Sequence, residues 1–252
     1  MDPASAERGR RASPAFRAFL RDGLGVLGLE LDAGQVELLD LFRRLLAEAG
    51  RTQNLTALRT DYEVATKHVV DSLTCLLTGL FEAGGRLADV GSGAGFPGLI
   101  LKIARPSLAV TLIDSARRKT AFLSRAVDRL GLDRVTVLTE RAEVLGRLPE
   151  HRGRYNLAVA RAVSGLAVDL EYAVPLLAPG GHFVAMKGPR VVEELARGER
   201  AAELLGAELT EVVDLVLPLA GERRALVVFR KVRETPEAYP RRPGVPAKRP
   251  LS

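Results

Sequence analysis

The chain reads as an α/β protein: a mostly parallel, seven-stranded sheet with helices on both faces, helices ahead of it, and an antiparallel hairpin at its end. Three observations predict this. Apolar residues recur at helical spacing over the first eighty residues; after Gly84-Gly85, short β-rich runs alternate with helical stretches; and the last two β-rich runs are joined by a short turn instead of a helix. Strands separated by helices need crossover connections and so pair in parallel, whereas a short turn leaves only antiparallel pairing.

Each element has its own signal. Phe16, Phe19, Leu20 and Leu24 make one apolar stripe, and Val36, Leu39, Phe42 and Leu46 make a second, ended by Gly50. Thr60-Asp-Tyr-Glu63 fits a capping box, in which hydroxyl and carboxylate each serve the other residue's amide, so a third helix is expected through Lys67 to about Phe81. Strands are expected at 87–90, 110–113, 135–138, 157–160 and 182–186, with helices at 97–104, 116–130, 142–148 and 166–177 between them. A further helix (191–205) precedes strands at 208–217 and 225–232, joined by a turn containing Gly221. Residues 234–252 carry five prolines and are read as neither helix nor central strand. Residues 1–13 are thus a disordered basic segment, 14–83 a helical region packed on the main domain, 84–233 that domain, and 234–252 a Pro/Arg-rich tail.

Composition narrows the function. With 47% apolar residues in 252, the chain has enough material for a full core, and 24 Gly and 14 Pro are ordinary. There is no apolar run of the roughly 18 residues that would cross a bilayer, and the Arg-rich N-terminus lacks the apolar stretch of a secretory signal. A single cysteine, Cys75, excludes an internal disulfide and a cysteine-cluster zinc site, and the three histidines are too scattered for a metal. A cytoplasmic, membrane-free, monomeric protein is expected. Between 223 and 252 nine basic residues face only Glu234 and Glu237, a net +7 against +6 for the whole chain; Met1 to Arg21 adds five arginines against Asp2 and Glu7. Basic ends on a near-neutral middle suggest a polyanion partner such as nucleic acid; a solubilising tail is the plain alternative.

The most informative segment is Asp89-Val-Gly-Ser-Gly-Ala-Gly-Phe-Pro-Gly98, where a strand enters Gly91, Gly93 and Gly95 and a helix starts near Pro97. It lies at the carboxyl end of the first parallel strand, where open α/β sheets bind ligands. Residues 93–98 literally satisfy the dinucleotide pattern G-x-G-x-x-G, so an NAD(P)-dependent oxidoreductase must be weighed. Against it, the match starts two residues late, and Asp89 would repel a pyrophosphate; the sulfonium and ammonium of S-adenosylmethionine would welcome it. Asp114 closes the second strand, placed to accept both ribose hydroxyls of an adenosine in either cofactor.

These residues resemble the RsmG (GidB) family of bacterial methyltransferases, which modify N7 of a guanine in 16S rRNA. The resemblance rests on ordered blocks beyond the glycine loop: Asn54-Leu-Thr56, Lys67-His-Val-Val-Asp-Ser72, Asp114-Ser-x-x-x-Lys119, Arg141-Ala-Glu143, Arg161-Ala162, Ala185-Met-Lys-Gly-Pro189 and Tyr239-Pro-Arg-Arg-Pro-Gly-Val-Pro-Ala-Lys-Arg-Pro-Leu251. It covers about Gln35 to the end; Ala160, where the family often has Ser, is a small departure. The resemblance implies a Rossmann-like class I methyltransferase fold, S-adenosylmethionine as cofactor, and guanine 527 of 16S rRNA, in the small ribosomal subunit, as target. It implies cofactor contacts from Gly91, Phe96, Asp114, Ala142, Glu143 and Arg161, to which the loop and second-strand residues Asp89, Gly93, Gly95, Ser115 and Ala116 are added. Arg161, Lys187, His68 and Asp71 are expected around the reaction, and Lys187, Arg241, Arg242, Lys248 and Arg249 on rRNA phosphates.

The residues alone would also allow blander readings: Glu143 as a helix-start acid, Arg161 paired with Asp89 or Asp114, and His68 in a local pair with Asp71. Guanine N7 carries a lone pair and no proton, so no general base is assigned; the work is positional. Besides the oxidoreductase, a non-catalytic RNA-binding protein of the same fold is the competing reading.

Overall fold

The computed structural model describes residues 13–50, 55 and 60–252. The basic segment 1–12 and the block Asn54 to Thr56, apart from Leu55, lie outside the described residues.

Two capped helices open the described chain. α1 (Pro14–Leu27) starts at Ser13, whose hydroxyl accepts the Phe16 amide, and stops at Gly28 in the left-handed conformation. α2 (Ala33–Ala49) starts with an Asp32/Gln35 capping box, and the Gln35 amide also donates to the carbonyls of Ile103 and Ala104 on the main domain. The Thr60/Glu63 box is formed and opens α3, a composite helix of α geometry at Asp61–Glu63, π geometry at Val64–Val70, α again at Asp71–Leu73 and 3₁₀ at Thr74–Thr78. It ends at left-handed Gly79, short of the expected Phe81. A π stretch inside a helix often marks a functional site, because it re-aims the side chains that follow; here it carries Lys67 and His68.

The main domain follows the expected alternation: β1 (Gly85–Val90), α4 (Gly98–Ala104), β2 (Leu108–Asp114), α5 (Arg117–Leu130), β3 (Val135–Thr139), α6 (Ala142–Leu145), β4 (Tyr155–Arg161), α7 (Leu166–Ala173), β5 (Leu177–Lys187), α8 (Val192–Leu205), β6 (Ala207–Val216) and β7 (Arg223–Lys231). Seven strands run in the order β3-β2-β1-β4-β5-β7-β6. The first five are parallel, and β7 inserts antiparallel between β5 and β6. The order reverses between β1 and β4, and this switch point opens a crevice at the strands' carboxyl ends. One face of the sheet buries β1 and β2 side chains under α1–α5, including Phe16, Phe42, Leu99 and Leu123. The other face packs Ala88, Ala158 and Phe183 against α7 and α8.

The tail differs from the expectation. It is packed on the second face and contains a helical turn, α9 (Val245–Lys248), with Pro246 in its first turn, where a missing amide hydrogen costs nothing. Thr235, Pro246 and Leu251 are buried. Its apolar residues find a core that a run of prolines does not advertise. Lys231, counted among the basic residues of the chain's end, is buried and donates to the carbonyls of Val174 and Leu177. Burial lowers its pKa to about 8.

Candidate functional site

A cavity of about 350 Å³ lies at the switch point, within the usual size range of small-molecule sites. Gly91 forms part of its floor, Asp114 and Ser115 follow from β2, Ala142 and Glu143 open α6 after β3, and Ala162 to Ser164 follow β4. The expected cofactor residues Gly91, Asp114, Ser115, Ala142 and Glu143 therefore converge. Lys119, Arg141, Tyr172 and Ala247 also line it. Tyr172 and Ala247 are far from the glycine loop in sequence; no local pattern marks Tyr172, and Ala247 lies in the tail block, whose basic residues alone draw attention. Ala162, with φ of 53°, is a non-glycine residue in left-handed geometry at the cavity edge, a strain that often accompanies function.

Gly91 has to be glycine. Its φ is +74°, and a Cβ there would stand 2.6 Å from Val163 Cγ2. Asp114 orders the loop: Oδ2 accepts the Gly93 amide (3.0 Å), Oδ1 accepts the Ala116 amide (2.8 Å), and Lys119 Nζ stands at 3.4 Å. A carboxylate has about four acceptor sites, so Oδ1 keeps one for a hydroxyl, and Oδ2 gains one when the long, half-exposed Lys119 contact is released.

Asp89 has a different place from the one expected. It is fully buried and does not line the cavity. Its Oδ2 accepts the Gly98 amide at 3.0 Å, at the start of α4, and its Oδ1 has no protein partner. Burial pushes its pKa up to about 7, against the pull of the Gly98 and Ser92 hydrogen bonds. Asp89 thus caps the helix from inside. This weakens the dinucleotide reading by another route, because the lead amide that a pyrophosphate would use is already taken by a carboxylate. Cavity size, an adenosine-sized set of acceptors and an internally capped helix fit S-adenosylmethionine.

Beside the cavity, Arg161 at the end of β4 gathers the α3 residues. Its Nη1 donates to Asp71 Oδ2 (3.0 Å) and the Lys67 carbonyl (3.2 Å), and its Nη2 lies 3.0 Å from His68 Nδ1. The guanidinium also sits over the Phe96 ring, and His68 stacks on that ring at 4.2 Å. Burial first, and the Arg161 charge second, lower the His68 pKa to about 3. Asp71 also accepts Arg224 Nε from β7 at 3.1 Å, and Arg224 pairs with Glu222, which pairs with Lys67. Arg161, His68, Asp71 and Phe96 are therefore brought together. The partner of Arg161 is Asp71, not Asp89 or Asp114, because α3 lies over the end of β4. None of these four lines the cavity itself, nor do Gly93, Gly95 or Ala116, which shape the loop from behind.

Two of the residues expected on rRNA are corrected. Lys187 is 8% exposed and held by Asp169 Oδ2 (2.7 Å) and the Ser164 carbonyl (2.6 Å), so its ammonium is spent inside the protein. Arg241 grips the fully buried Glu171 through Nε (2.9 Å), Nη2 (2.6 Å) and its own backbone amide (2.8 Å). Both carboxylates need a cation to be buried at all. Arg242, Lys248 and Arg249 are exposed. No group of three or more His, Cys, Asp or Glu suited to a metal occurs among the described residues, and no described helix is long and apolar enough to cross a membrane.

Comparison with known proteins places this geometry. The family model for rRNA small subunit methyltransferase G (GidB) matches residues 35–226. A ribosomal RNA small subunit methyltransferase G from Pelotomaculum thermopropionicum is 49% identical over 232 residues, 92% of this chain and 97% of the relative. One from Rubrobacter xylanophilus is 47% identical over 253 residues, 98% of this chain and 97% of the relative. Among solved structures, TrmN from Thermus thermophilus superimposes with a TM-score of 0.52 at 20% identity, covering 76% of this chain and 53% of that one. A branched-chain polyamine synthase mutein from the same organism, in complex with N4-aminopropylspermidine and 5'-methylthioadenosine, gives 0.54 at 18%, covering 78% and 65%. These two likenesses concern the fold. The match of family model and relatives along nearly the whole chain shows that this protein belongs to the rRNA small subunit methyltransferase G family.

Proposed function

We propose that the protein transfers the methyl group of S-adenosylmethionine to N7 of guanine 527 in 16S rRNA. The observation that carries the reading is the switch-point cavity, floored by Gly91 and bordered by Asp114 and Glu143, in a member of this family. S-adenosylmethionine supplies an electrophilic sulfonium methyl when bound. Asp114 would accept the ribose hydroxyls, and the start of α6, with Ala142 and Glu143, would meet the adenine edge, where the leading amides of a helix have no partner within it.

The choice of N7 is supported by the protonation states around Arg161. A nitrogen that carries no proton needs no base, and the groups gathered at Arg161 are engaged in other ways. His68 is neutral and its Nδ1 faces a guanidinium; Asp71 is shared by two arginines; Asp89 is sealed below the loop. The protein's contribution is then to hold the partly exposed Arg161 guanidinium, backed by the buried Phe96 ring, beside the crevice for the purine, and to keep water out. Exposed Arg242, Lys248 and Arg249 take rRNA phosphates. The test is incubation of the purified protein with undermethylated 16S rRNA, as naked RNA and in small subunits, with methyl-labelled cofactor. Label at N7 of guanine 527 supports the reading; label on another atom or nucleotide refutes the finer assignment.

A further inference from the structure

The tail is tied down far more firmly than a substrate-seeking arm needs. Arg152 donates from one nitrogen to the carbonyls of Gly146 and Tyr239 and from the other to Thr235 and Pro236. Pro240 packs where Gly146 has no side chain: a Cβ there would be 2.9 Å from the ring. Arg241 and Glu171 form the clasp described above, and Leu251 is buried in the second core. Between these anchors, Gly244 donates its amide to Glu143 Oε1 at 2.9 Å, and α9 sets Ala247 into the cavity wall.

We infer that residues 241–248 are a wall of the cofactor pocket, and that Arg241 and Glu171 are positioning residues for cofactor binding. The inference rests on the S-adenosylmethionine reading of that cavity. Glu143 links the two parts: it borders the cavity and takes a tail amide, so its carboxylate is oriented from the tail side. The buried Glu171 needs a cation, and only Arg241 is paired with it among the described residues. Opening the clasp therefore leaves a buried carboxylate unpaired, and the segment from Arg241 to Lys248 loses its anchor at the first residue. A cofactor entering such a pocket must order the wall as it binds. Ordering even one residue costs about a tenfold loss of affinity. The tail thus divides by face: Gly244 and Ala247 serve the cofactor, while Arg242, Lys248 and Arg249 point to solvent.

The test is calorimetric titration of the full-length protein with S-adenosylhomocysteine, alongside amide hydrogen exchange of the ligand-free protein. Arg241→Ala is expected to weaken binding about tenfold or more and to speed exchange at Gly244 and Arg249, leaving the β1 and β4 amides protected. Arg241→Lys, which keeps the charge and loses the fork, is expected to fall between. Ala247→Glu changes the wall without touching the clasp and is also expected to weaken binding, while Arg21→Ala, at an exposed side chain on α1, keeps wild-type affinity. If Arg241→Ala and Ala247→Glu bind within twofold of wild type, or if Arg241→Ala leaves the tail amides as protected as before, the inference fails and the cofactor reading stands. If the wild-type protein binds no S-adenosylhomocysteine, both fail.

Discussion

Asp71→Asn probes the junction that holds Arg161. The Asp71 side chain is 5% exposed and receives Arg161 at 3.0 Å and Arg224 at 3.1 Å, whose side chains are 15% and 22% exposed. Asparagine fits the space but removes the only charge the two guanidinium groups share, and its amide nitrogen must face one of them. Arg224 keeps Glu222, at 2.6 Å, whereas Arg161 keeps the Lys67 carbonyl, His68 and the Phe96 ring, none of them charged. Breaking a fully buried pair costs about 3–5 kcal/mol. Because both arginines retain some solvent, the lower end applies, about 3 kcal/mol. The assay is urea unfolding of wild type, Asp71→Asn, Arg161→Met and the double variant. Either single change should cost far more than a surface pair does, and the double variant should recover part of the loss, since no unpaired charge remains. Methyl transfer should fall in all three variants. A cost below about 1 kcal/mol for Asp71→Asn, the scale of an exposed pair, would refute the idea that this carboxylate organises the site.

Asp89 supplies a pH signature. Its folded pKa of about 7 lies above the ordinary 3.8, so between those values the native state holds a proton that the unfolded chain has released. Its stabilising share is complete below the ordinary value and is lost as pH rises through about 7; wild type should weaken relative to Asp89→Asn across that window, and a constant difference would contradict the assignment. Gly91→Ala forces a left-handed backbone on alanine and drives its Cβ against Val163, so about 1–3 kcal/mol of stability and most of the affinity for S-adenosylhomocysteine should go. Unchanged melting and titration curves would show that the floor is looser than it looks. Replacing Arg242, Lys248 and Arg249 together should lower the slope of log affinity for 16S rRNA against log salt by about 2, at roughly 0.7–0.9 per phosphate contact; an unaltered slope would remove the tail's outer face from the rRNA interface.

Local chemistry made much of this legible in the sequence. The Thr60/Glu63 box needs only residues three apart, the glycine loop needs only a strand before it and a helix after it, and the strand–helix alternation implies the parallel sheet. Gly91, Asp114, Ala142 and Glu143 reach the cavity for that reason: the first two follow or close a strand, and the last two open the helix after one. What was hidden depends on contacts between distant residues. Lys187 and Arg241 read as free cations until Asp169 and Glu171 are brought under them, and both acids lie on α7, which alternation alone does not orient. Asp89 read as a ligand carboxylate because it precedes the loop, but it turns inward to the Gly98 amide. The tail's prolines argue against helix and central strand; they fit a path of turns around Arg152 with one helical turn at its end, which no spacing rule anticipates.

The account is tested most directly by mapping methylation. Purified protein, labelled S-adenosylmethionine and undermethylated 16S rRNA should yield label at N7 of guanine 527 and nowhere else, and Gly91→Ala should abolish it. Label on a different base or atom, or a cofactor found bound anywhere but the cavity between Gly91 and Glu143, would contradict it.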